Sequence, residues 1–175
     1  MSPPIELTSV PPWALAATTP PADTTGRTYS IIAFGEPGRV VAAQWTTELG
    51  DRLDSVQIHV MHGVAAARAA FVTDLAAARV GWRLMVAGEL ADVMALRADA
   101  LAGGLADDEI TIATTATDVR PLLCSHCSHL QQVATAIGDV VACDGCGRNL
   151  LMYHHVSRRR AAFLGFMVDA EVWEA

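Results

Sequence analysis

Four short runs rich in apolar and β-branched residues recur along the first two thirds of the chain. They are Tyr29–Phe34, Val56–Met61, Trp82–Ala87 and Glu109–Thr114, and each reads as a strand. The segments between them have helical spacing. Arg39–Leu49 offers Val40, Val41, Ala43 and Trp45 as an inner face, and Ala65–Ala78 puts Ala69, Val72 and Ala76 on one stripe. Glu89–Ala102 carries Leu90, Val93, Met94 and Leu101, with Gly103-Gly104 as its stop. Strands alternating with helices imply βαβ units, hence an α/β domain with a small parallel sheet over residues 28–120.

The flanks differ. Residues 1–27 are rich in Pro, Thr and Ala and read as an extended tail with no core of its own, Trp13 and Leu15 being its large anchors. Such a tail is either loose or an arm laid along a partner, and a tryptophan favours the arm. Residues 121–175 lose the βαβ rhythm and hold all four cysteines, as Cys124-Ser-His-Cys127 and Cys143-Asp-Gly-Cys146, fifteen residues apart. Two residues between cysteines let a tight turn aim both sulfurs at one ion, and paired turns of this kind complete a tetrahedral thiolate site. Gly145 and Gly147 bracket Cys146, where positive φ is wanted. Ser128–Ala142 is long enough for an out-and-back hairpin turning at Gly138-Asp139, with Val140-Val141-Ala142 as a strand. The expected domain is a small β zinc ribbon, with iron (rubredoxin-like or a cluster) and disulfides or free thiols as alternatives. His126 and His129 lie outside a set that four thiolates already fill.

Beyond the cysteines, Leu150–Val156 is a third ribbon strand and Ala162–Met167 a further apolar run, expected as a C-terminal docking strand. Tyr153, His154 and His155 form an unusual trio. Adjacent strand residues face opposite ways, so the two imidazoles are expected at an interface or beside the metal ligands and not on one shared ligand. Arg158, Arg159 and Arg160 follow, suited to an acidic partner.

Charge narrows the function classes. The formal net charge of −7 disfavours nucleic acid and anionic membrane as general partners. All twelve basic residues are arginine, so any anion contact would be an arginine fork. No run is long enough to span a bilayer, no secretory signal is visible, and paired CxxC motifs suit a reducing, cytoplasmic setting.

Two resemblances follow. Val86-Ala87-Gly88-Glu89, the helix after it and Gly103-Gly104 resemble the last unit of the nicotinamide-binding domain of ferredoxin-reductase-like proteins. The glycine-rich turn Gly35-Glu36-Pro37-Gly38 stands where such domains bind pyrophosphate. Ala87 and Glu89 replace the family's Cys and Pro, and Glu36-Pro37 replaces small residues, so a degenerate, structural version without saturable NADPH binding is expected.

The Cys pairs, Gly147, Tyr153-His154-His155-Val156-Ser157-Arg158-Arg159, Leu164-Gly165-Phe166-Met167 and Asp169-Ala170-Glu171 are similar to the A subunit of the dimethylamine monooxygenase family. That resemblance implies a multi-subunit enzyme that uses NADPH and O2 to convert dimethylamine to methylamine and formaldehyde. A reductase subunit would carry flavin and iron–sulfur groups, and an oxygenase subunit the oxygen-activating centre. This chain would be a non-catalytic accessory subunit with structural zinc. Rival readings are a rubredoxin-like electron carrier and a zinc-ribbon regulatory or nucleic-acid-binding module.

Overall fold

A computed structural model describes residues 8–168. The first seven residues of the expected tail and Asp169-Ala170-Glu171 of the resemblance lie outside the described residues. The described chain forms two compact units, one of Trp13–Thr117 and one of residues 118–168 that also takes residues 8–12.

The first unit is α/β. Its elements are β1 (Thr28–Phe34), α1 (Gly35–Leu49), β2 (Val56–Met61), α2 (Val64–Ala77), β3 (Trp82–Glu89), α3 (Leu90–Ala102) and β4 (Ile110–Ala116). All sheet pairings are parallel, in the order β2-β1-β3-β4, so the winding reverses between β1 and β3. Parallel strands buried on both faces read as continuous apolar runs, which is why β1 and β3 were legible.

One layer joins Phe71, Val93, Leu96 and Ala100 to Trp82, Leu84 and Val86; the other packs Val41, Ala42, Trp45 and Leu49 on Ile31, Met85 and Ala87. Among the described residues α1 is the one helix on the second face, and the N-terminal segment covers more of it. Trp45 Nε1 donates to Pro20 O at 2.8 Å, Ala22 N donates to Glu48 Oε2 at 2.6 Å, and Thr18 bridges antiparallel to Thr114 at the β4 edge. Arg97 lies 5.7 Å from the Trp13 ring centroid. From Trp13 on, the stretch expected as a tail is therefore extended but laid along its own α/β unit.

Two helical faces differ from expectation. In α1, Val41, Ala42, Trp45 and Leu49 point inward, while Val40 is 58% exposed and Ala43 is exposed. In α2, Ala67 and Phe71 are buried, whereas Ala69, Val72 and Ala76 face out. An alanine-rich helix satisfies the i, i+3, i+4 template in several directions, and the bulk of Phe71 and Leu75 decides which side meets the sheet. A polar chain runs outward from the buried Ser30 between α2 and the sheet: Trp82 Nε1 donates to Ser30 Oγ at 3.1 Å, Ser30 Oγ donates to the half-buried Asp74 Oδ2 at 2.7 Å, and His59 Nε2 meets the same oxygen at 2.8 Å. No helix among the described residues is long and apolar enough to cross a membrane.

The second unit is a five-stranded sheet of β5 (Arg120–Cys124), β6 (Leu130–Val133), β7 (Val140–Ala142), β8 (Asn149–Ser157) and β9 (Ala162–Met167), in the order β6-β5-β9-β8-β7. The expected hairpin within Ser128–Ala142 does not form: β6 and β7 lie at opposite edges. The chain reverses at each Cys pair instead, so β5 pairs antiparallel with β6 and β7 with β8. β9 fills the centre, parallel to β5 and antiparallel to β8. Both of its edges are paired, so the expected docking strand can dock only through side chains.

Candidate metal centre

The two CxxC turns share one backbone solution. After Cys124, Ser128 N donates to Cys124 O and Cys124 N to His129 O, both at 2.9 Å; after Cys143, Gly147 N donates to Cys143 O at 2.8 Å and Cys143 N to Arg148 O at 2.9 Å. The residue after the second cysteine is left-handed in both, with φ of 61° at Ser128 and 73° at Gly147. Gly145 serves differently from expectation. It is not among the positive-φ residues; a Cβ there would stand 2.7 Å from His129 Cβ, so it lets the two turns approach.

The turns bring four sulfurs within 4.8 Å of one another. Cys124 Sγ lies 3.9 Å from Cys146 Sγ, and Cys127 Sγ lies 3.7 Å from Cys143 Sγ. A tetrahedron with bonds of about 2.3 Å has edges of about 3.8 Å, so the sulfurs are placed for one ion. They are far from the roughly 2.05 Å of a disulfide. Cys124 and Cys143 are buried, Cys146 is half-buried and Cys127 is exposed. His126 and His129 are both exposed and outside the ligand cluster.

Burial pushes the Cys124 thiol up, but backbone N–H groups of Cys127 and His126 and the neighbouring thiols outweigh it and bring it to about 7. The backbone N–H of His129 favours the Cys127 thiolate, yet burial and the other three sulfurs carry that thiol to about 12. Cys124 and Cys127 are thus disfavoured as thiolates together, and a cation among the sulfurs would offset that repulsion.

Sequence reasoning missed one supporting residue. Gln131 on β6 is buried; its Nε2 donates to Ala142 O and its Oε1 accepts from Asp144 N, both at 2.9 Å. It thereby clamps both peptide neighbours of Cys143 from across the sheet. A lone glutamine in an alternating strand carries no signal for this; the signal is its place on the buried face of an edge strand.

The sheet also rearranges the tyrosine–histidine trio. Register shifts between Met152 and Val156, so Tyr153, His154 and His155 bulge opposite Leu164. Tyr153 stacks on His155 (centroids 5.1 Å apart, 18° between planes) and meets Phe166 edge-on at 5.4 Å. Arg158, Arg159 and Arg160 occupy the turn after β8, which closes with Ala161 at φ 50°.

Fold and site define a four-cysteine ribbon able to hold one metal ion, preceded in the chain by a parallel α/β unit. Residues 121–166 match the family model described as the C-terminal domain of the DmmA-like subunit of dimethylamine monooxygenase, so the ribbon is similar to that domain. The chain is also 40% identical over 99 residues to the heme-dependent oxidative N-demethylase delta subunit of Ectopseudomonas mendocina (strain ymp), a match covering 57% of this chain. The matched part spans about half (55%) of that relative's length. No solved structure matches the chain.

Proposed function

We propose that this chain is a non-catalytic accessory subunit of a multi-subunit oxidative N-demethylase. What carries the reading is the family match on the four-cysteine ribbon, joined to 40% identity with a demethylase delta subunit. In its finer form, the complex uses NADPH and O2 to convert dimethylamine to methylamine and formaldehyde in the cytoplasm. A reductase subunit with flavin and iron–sulfur groups supplies electrons, and an oxygenase subunit holds the oxygen-activating centre; the relative's name places heme in its own complex. The chain bridges these partners, with Tyr153, His154, His155, Arg158 and Arg159 at the contact. Cys124, Cys127, Cys143 and Cys146 hold zinc, which closes the ribbon without changing oxidation state.

The α/β unit acts as scaffold, a degenerate relative of the ferredoxin-reductase nucleotide domain. Packing supports this. A Cβ on Gly38 would meet Ala87 O at 2.6 Å, and one on Gly88 would meet Phe34 Cβ at 2.7 Å, so both glycines are required by the chain itself. Glu36 and Glu89 stand at the helix starts where pyrophosphate would bind, and burial together with Glu89 holds Asp92 above the usual carboxylate range.

The test is reconstitution with the other subunits of the complex, measuring formaldehyde release from dimethylamine with NADPH. Omitting this chain, or supplying Cys124→Ser, should weaken assembly and lower turnover. Normal assembly and rate with Cys124→Ser would overturn the structural role. Exposure of Cys127 favours a second reading, electron transfer through iron, and metal content with a visible spectrum separates the two. Colourless protein with one zinc supports the scaffold; iron with a thiolate charge-transfer band supports the carrier.

A further inference from the structure

An apolar row crosses the outer face of the ribbon sheet from edge to edge. Residues opposite one another on neighbouring strands share a face. Leu130 on β6 stands opposite Leu123 on β5, and Leu123 opposite Leu164 on β9. Two residues on along β9, Phe166 stands opposite Leu151, and Leu151 opposite Val140 on β7. These two rungs meet at β9 and form one apolar row across all five strands. Leu130 is 49% exposed, Val140 52% and Phe166 43%, with the other three half-buried. Tyr153, 42% exposed, extends the patch against Phe166. The sheet's core is on the opposite face, where Leu122, Leu150, Met152 and Phe163 are fully buried. The outer row is therefore surplus to the ribbon's own packing, and a contiguous apolar surface of this kind marks a site of association.

Charge selects the occupant. Between residues 118 and 168 the chain has five arginines against three aspartates, whereas residues 13–117 have seven arginines against twelve acidic residues. Arg148 precedes β8 and Arg158, Arg159 and Arg160 follow it, so positive charge sits at both ends of the strand bearing Leu151 and Tyr153. A second copy would bring like charges together across the same face. Nucleic acid would find stacking partners in Phe166 and Tyr153 alone and would leave the leucines and valine of the row uncovered.

We infer that this outer face docks a different polypeptide whose contact patch is apolar at its centre and acidic at its rim. This deepens the accessory-subunit reading and rests on it for the partner's origin, because it extends the contact from the Tyr153–Arg159 segment to the entire sheet face. Phe166 and Leu151 are the central anchors, Tyr153 a rigid flank, and the arginine turn sets orientation.

The full chain is tested alone and with partners. Anilinonaphthalenesulfonate, an apolar anion, should bind the wild-type chain saturably. Phe166→Glu and Leu151→Glu should abolish that binding while the cobalt–thiolate spectrum of the substituted metal site stays unchanged. A wild-type chain that leaves the dye unbound overturns the inference. With the purified other subunits of the demethylase complex, each of these variants should lose about 30-fold or more in affinity. Arg158→Glu with Arg159→Glu should weaken binding and flatten its salt dependence. If wild type and variants bind those subunits equally well, the face is not the interface and the inference fails, while the accessory-subunit reading survives. If the dye binds as expected but no demethylase subunit does, that reading fails and the face stands. A dimer that dissociates in Phe166→Glu, or retention of a single-stranded oligonucleotide by the wild type, would overturn the choice of occupant.

Discussion

Gln131 offers the sharpest test of how the metal centre is held. In Gln131→Ala the turn around Cys143 loses two hydrogen bonds of 2.9 Å, one to Ala142 O and one from Asp144 N. Each is worth roughly 0.5–1.5 kcal/mol net, and a buried group left unmatched adds about 1–3 kcal/mol. Ala142 and Asp144 are exposed, so water can reach the freed backbone groups and the expected loss is about 2 kcal/mol. If that loss falls on the metal-loaded ribbon, zinc affinity drops about 30-fold, since about 1.4 kcal/mol is tenfold. Gln131→Glu should do more harm than its near-identical shape suggests, because a second carboxylate oxygen would face Ala142 O. Competition for zinc against a chromophoric chelator measures the effect, with the cobalt–thiolate spectrum reporting whether four sulfurs remain. Affinity within about twofold of wild type in both variants would refute the clamp.

Three other outcomes follow from the same geometry. Gly38→Ala should destabilise the α/β unit by about 1–3 kcal/mol in urea unfolding, because the new methyl meets a backbone oxygen at 2.6 Å; unchanged stability would reopen a ligand-binding reason for that glycine. Gly147→Ala should lower ribbon stability by about 1 kcal/mol while Ser128→Gly raises it slightly, since both positions are left-handed; thermal melts moving in the same direction would contradict this. In the metal-free chain the Cys124 thiol, lowered to about 7, ionises before an ordinary thiol does. Its stabilising contribution is complete above the unfolded thiol value of about 8.5 and is lost as pH falls through 7, so the metal-free ribbon should melt higher at about pH 8.5 than at about pH 6.5. An unchanged or reversed order would refute it.

Sequence by itself determined the α/β alternation, the element order of the first unit and the four-sulfur site. Each rests on local chemistry: apolar runs long enough for buried strands, Gly103-Gly104 ending α3, and cysteine spacing that only a tight turn satisfies. Tertiary structure alone decided the inner faces of α1 and α2, because alanine-rich helices offer several apolar stripes and only the facing sheet selects one. It also turned the Pro/Thr-rich stretch from Trp13 onward into a cover for a sheet face that a single helix leaves open. In the ribbon, local spacing suggested a hairpin between the Cys pairs, yet strand order reflects which edges remain unpaired once each turn has closed on its own pair. That order puts β9 in the middle, bulges Tyr153-His154-His155 out opposite Leu164, and lines up Leu130, Leu123, Leu164, Phe166, Leu151 and Val140 across five strands. No local pattern encodes the row, because its members are up to 43 residues apart in sequence and become neighbours only through sheet hydrogen bonding.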